Sequence, residues 1–132
     1  MDALLAPEAR QALEALALSR SPAPAGILLG HKRGSRFIIE SALPTTPGYY
    51  PPQRTYLRLS AIFPDRIIGF FSFSAEGGLV KLPPPPFAVG KIFLCLKAGP
   101  KGRLSLRAHS ADYGRRLVLR PVPIVKIKGH MP

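Results

Sequence analysis

The chain has 132 residues, 46% of them hydrophobic, with sixteen prolines, no tryptophan and a formal charge of +12. That length fits one domain, residues 1–132, with a core of its own, and leaves no room for a second. The single cysteine, Cys95, excludes an internal disulfide, and no apolar stretch approaches the ~18 residues of a membrane span.

Residues 2–19, DALLAPEARQALEALALS, place Leu5, Ala9, Ala12, Leu13 and Leu16 at helical spacing. One amphipathic helix is predicted there, with Asp2 or Pro7 marking its start and SPAPAG at 21–26 stopping it. Asp2 and Glu8 stand where a secretory signal carries basic residues, so the expected compartment is the cytoplasm.

The period then changes. GILLGH (26–31) and SRFIIESAL (35–43) read as two short strands of a hairpin with Gly34 in the turn, and PTTPGYYPPQR (44–54) as loop. TYLRLSAIF (55–63) predicts a short second helix before Pro64. RIIGFFSF (66–73) is apolar on both faces, as a central strand is. Four prolines at 83–86 forbid a regular helix in the stretch that follows.

Three more strands are expected. KIFLCLKA (91–98) is nearly all apolar and buries Cys95; RLSLRAH (103–109) alternates, with Leu104, Leu106 and Ala108 inward and Arg103, Arg107 and His109 outward. RRLVLRPVPIVKI ends the pattern as an edge strand, because Pro121 and Pro123 cannot donate to a ladder. GPKG at 99–102 and ADYG at 111–114 read as turns. The order predicts an α+β domain, sandwich-like (α/β/α) on one curved mixed sheet, with an N-terminal helix and a short second helix.

Charge is unevenly placed. Residues 91–132 carry ten Lys and Arg against one acid, Asp112, whereas residues 1–20 are slightly acidic. Arg103, Arg107, Arg115, Arg116, Arg120, Lys126 and Lys128 are the candidate basic face, suited to nucleic acid or an acidic protein if the strands align them.

Conventional catalytic patterns are missing. His31, His109 and His130 have no ligand spacing. Ser72 has no neighbouring base in sequence to make it a nucleophile, and Glu76 in AEGG reads as a loop-surface residue. GHKRG and GPKG are not phosphate loops. Tyr49, Tyr50 and Tyr56, near Arg54 and Arg58, could stack bases or fold a proline-rich loop onto the sheet, and the second reading fits better.

GILLG at 26–30, FIIESALP at 37–44 and IIGFFSFSA at 67–75 occur in an order and at gaps that resemble the MPN/JAMM family, and KIFLCLKA sits where that family's next core strand falls. The resemblance covers residues 1 to about 110. Active members hold zinc with a His-x-His pair on the central strand and a later aspartate, while a glutamate takes the proton of the zinc-bound water and a serine stabilises the oxyanion. Alternate strand residues point one way, which lets two imidazoles reach one metal.

Carried across, each of these roles is empty. The glutamate place falls on Ala23, the two histidine places on Ser72 and Ser74, and the serine and aspartate places near Leu82 and Pro85. Serine hydroxyls are poor zinc ligands. The resemblance therefore implies a pseudoenzyme: no catalytic residue, metal or cofactor, but a scaffold or interaction module that dimerises or pairs with an active paralogue. The alternative is a small basic nucleic-acid-binding protein that uses the 103–128 strands.

Overall fold

A computed structural model describes residues 2–18, 25–45, 53–73, 90–98, 104–113 and 117–125. Its strands are β1 (Asp2–Leu5), β2 (Ala25–Arg33), β3 (Arg36–Pro44), β4 (Ile67–Phe73), β5 (Ile92–Ala98), β6 (Leu104–Tyr113), β7 (Leu117–Val122) and β8 (Ile124–Val125). Two short helices accompany them, α1 (Pro7–Ala17) and α2 (Gln53–Ile62).

All eight strands form one sheet in the order β7-β6-β5-β4-β2-β3-β1-β8. The two ends of that order are consecutive in sequence, separated only by Pro123. One physical strand therefore leaves β6 at one edge and joins β1 at the other, and the sheet curls into a nearly closed, seven-strand barrel.

Proline chemistry explains the change of partner. The β6 ladder runs through Pro121 to Val122 and stops before Pro123, which has no N–H to donate, and at the crossing the Ala3 N–H donates to the Pro123 carbonyl at 2.9 Å. β1 runs parallel to both β3 and β8 and is the stave that joins them.

This corrects the predicted α+β sandwich. The helices are short attachments to a mostly β-stranded, barrel-like fold, and they do not form layers on a central sheet. Of the two starts offered for the first helix, the structure takes Pro7, whose fixed φ suits a first helical position, while Asp2–Leu5 lies extended beside β3. The final segment is an edge, as expected, but it is divided at Pro123 into β7 and β8, which stand at opposite ends of the sheet order, and that closure was not foreseen. The turn expected at 111–114 also gives way in part, because β6 stays paired with β7 through Tyr113.

The hairpin prediction agrees with the structure. β2 and β3 are antiparallel and meet at Gly34, whose φ of 56° is the left-handed conformation that glycine adopts without strain. Both faces of the curled sheet are covered, which is why β2, β4 and β5 read as continuous apolar runs. Inside, Leu28, Phe37, Ile39, Phe71, Leu94 and Leu96 pack with Ala9 and Leu13 of α1. Outside, Ile27, Leu29, Ile67, Phe70 and Phe93 receive Tyr56 and Leu59 of α2, together with Phe63 just beyond it. At Gly69 the backbone of β5 comes so close that an added Cβ would collide with the Ile92 carbonyl oxygen.

Candidate functional site

The central strand β4 delivers Ser72 to the outer face near its C-terminal end. Strand register places Ala25, Ser72, Cys95 and Arg107 in one lateral row across β2, β4, β5 and β6. The next row along the strands runs Ile27, Phe70, Phe93, His109 and Pro121. Side chains in a row share a face, so Ser72 has a thiol and a guanidinium as its lateral neighbours on the β5 side. Ser72 and Cys95 are buried, whereas Arg107 is exposed.

Among the described residues the row holds a hydroxyl, a thiol and a guanidinium, and no carboxylate or imidazole that could accept a proton from Ser72. Among the described residues, no three of His, Cys, Asp and Glu come together as metal ligands. Of the positions that the resemblance assigns to chemistry, Ser72 is described; Ala23, Ser74, Leu82 and Pro85 lie outside the described residues.

His109 lies in the outer row, as its alternation predicts, but it is buried there. It is 7% exposed, and its Nδ1 has no partner among the described residues. Burial, reinforced by the Arg107 charge, holds its pKa below the ordinary 6.5. A lowered folded pKa means that the unfolded chain takes up the proton first. His109 therefore costs no stability above about pH 6.5 and costs progressively more as pH falls from there through its lowered value. Urea midpoints measured on either side of that window are expected to drop on acidification, and His109→Gln is expected to shrink the drop. An equal drop in the variant would assign it to other groups.

Two of the seven basic candidates lie on described strands. Arg107 belongs to the outer row, while the Arg120 backbone pairs with Ser110, a β6 position of the other alternation. Arg103, Arg115, Arg116, Lys126 and Lys128 lie outside the described residues. His31 is engaged with Glu40 at 2.9 Å, and Arg66 reaches the same carboxylate at 3.4 Å. Tyr56 packs its ring near Phe70 at 6.1 Å between centroids, with the Lys91 ammonium 5.7 Å from its ring centre, so this tyrosine serves the core. Tyr49, Tyr50, Glu76 and His130 lie outside the described residues.

The sequence reading missed a cleft at the barrel seam. β6 pairs with β7 only from Ala108 onward, and β8 pairs with β1, so the wall opens between Leu104–Arg107 and β8. A cavity of about 620 Å³ occupies the opening, with Leu104, Leu106, Val122 and Ile124 as its apolar lining and Arg10 of α1 at its side. The signal in the sequence was Pro123, which follows the last residue of the β6–β7 ladder.

In comparisons with known proteins, no family model and no curated protein matches the chain. Among solved structures it is similar to protein DSY2949 from Desulfitobacterium hafniense, determined in solution, with a TM-score of 0.64 at 14% identity over 95% of this chain and 92% of that one. The two share a fold. No helix among the described residues is long and apolar enough to cross a membrane.

Proposed function

We propose that this chain is a catalytically inactive relative of the MPN/JAMM proteins and acts through protein contacts. The observation that carries the reading is Ser72. It stands near the end of the central strand, where the resemblance expects a zinc-binding imidazole, and its described lateral neighbours Ala25, Cys95 and Arg107 supply no second imidazole or carboxylate. A hydroxyl there binds zinc too weakly to activate water.

What such a domain retains is a rigid barrel and its surface. Two large apolar side chains on α2, Leu57 and Ile62, are 60% and 63% exposed beside Arg54 and Arg58, a composition suited to protein contact. By the resemblance, the partner is a second copy or an active paralogue.

Zinc titrated into tag-free protein, with mass read by light scattering, tests both parts. The expected result is no stoichiometric zinc and a dimer or a larger species. One tightly held zinc per chain would overturn the inactive reading. A monomer that binds single-stranded RNA, with affinity falling steeply as salt rises, would replace the contact reading with the nucleic-acid one that the +12 charge also favours.

A further inference from the structure

We infer that the seam cleft is a peptide-binding site, which takes an extended segment of a partner protein, alternating apolar and acidic residues, as an added strand on the open edge of β6. The inference rests on the protein-contact reading above and names the surface and the chemistry of the partner.

The first ground is the backbone. Over Leu104–Arg107, β6 is paired with β5 on one side and has no ladder partner on the other among the described residues, because β7 ends at Val122. β8, on the far side of the opening, is the last strand of the sheet order. Strand edges left open are templates for a further strand unless charge, proline or a covering element blocks them. Here the prolines sit on the departing strand and leave the β6 edge able to pair.

The second ground is shape and polarity. A cavity of about 620 Å³ falls within the usual range for ligand sites. Four β6 positions span about 13 Å at the rise of a strand, enough for a short peptide. Leu104, Leu106, Val122 and Ile124 belong to or pack against the inner core, so alternate apolar side chains of an added strand would extend that core through the gap.

The third ground is charge. Among the described residues, Arg10 and Arg107 line the cleft and no Asp or Glu does. Neither arginine forms an ion pair among the described residues. An apolar peptide with acidic alternate residues matches this lining, while a basic one meets like charge.

The test uses the full chain, isotope-labelled, titrated with a pool of short capped peptides in which Val, Ile or Leu alternates with Glu or Asp. Amide shifts are expected at Leu104–Arg107 and at Ile124 and Val125, and they should vanish with a pool N-methylated at alternate positions, which cannot complete a ladder. Arg10→Glu should weaken the acidic pool about tenfold or more, since it places like charges together, and should improve binding of the matching basic pool. Arg10→Lys should bind the acidic pool nearly as wild type does.

The cleft assignment is overturned if the acidic pool gives no shifts at millimolar concentration, if the N-methylated pool binds equally, or if the shifts map elsewhere. Any of these outcomes, with zinc still absent and a dimer still present, sinks the cleft and leaves the protein-contact reading standing.

Discussion

Phe70→Ala is expected to remove about 3–5 kcal/mol of stability, the usual cost of truncating a buried phenylalanine. Phe70 is fully buried at the centre of the outer cluster, with its ring stacked on Phe93 at 5.4 Å and tilted against Tyr56 at 6.1 Å. The loss is large against the ~5–15 kcal/mol that holds a typical domain. It should also reach α2, because that helix has no fully buried residue of its own and rests on the outer cluster through the partly buried Tyr56 and Leu59. Urea unfolding followed by circular dichroism should show a lower midpoint, and amide exchange should accelerate first in α2. A cost under about 1 kcal/mol would mean that the outer face is not a core and that α2 is held by something else.

How much of this was legible depends on the range of the interaction. The β2–β3 hairpin could be read because its turn is local: Gly34 supplies the positive φ, and the alternation of Phe37 and Ile39 sets the register. β4 and β5 were visible as apolar runs because both faces of the sheet are covered. Closure was not visible. It depends on Asp2–Leu5 pairing in parallel with two strands, one more than thirty residues away and the other more than a hundred, and no local pattern encodes such a meeting. DALL at helical spacing with Ala9 and Leu13 looks like a first helical turn until the pairing is known.

The candidate site divides in the same way. Ser72 was singled out because it sits on a strand whose neighbours resemble a family pattern, and its register beside Cys95 places it in the sheet's outer row. The burial of His109 was not legible, because alternation tells which residues share a face but not whether that face is covered. The cleft was missed because Pro121 and Pro123 were read for the hydrogen bonds they cannot make, not for the gap that a departing strand leaves behind.

The barrel seam gives the other large expected effect, because so few pairs close it. Ala3→Asp should cost several kcal/mol, as burying an unpaired carboxylate does. Ala3 is fully buried within the inner cluster, pairs with Phe37 on one side and Ile124 on the other, and donates its N–H to Pro123. Leu4→Asp is the control. Leu4 is the alternate residue of the same strand and only half-buried, so the same charge there should be tolerated at about 1 kcal/mol or less. The way Ala3→Asp fails is also informative. If the barrel comes apart as one unit, hydrogen exchange will accelerate in every strand together. If only the seam opens, β1 and β8 will lose protection while β4 and β5 keep theirs, and the β6 edge will be left without its facing wall. Acidic peptide should then bind more weakly even though Leu104–Arg107 is unchanged, since the apolar lining supplied by Ile124 would be gone. Equal tolerance of both substitutions would mean that β1 does not close the barrel.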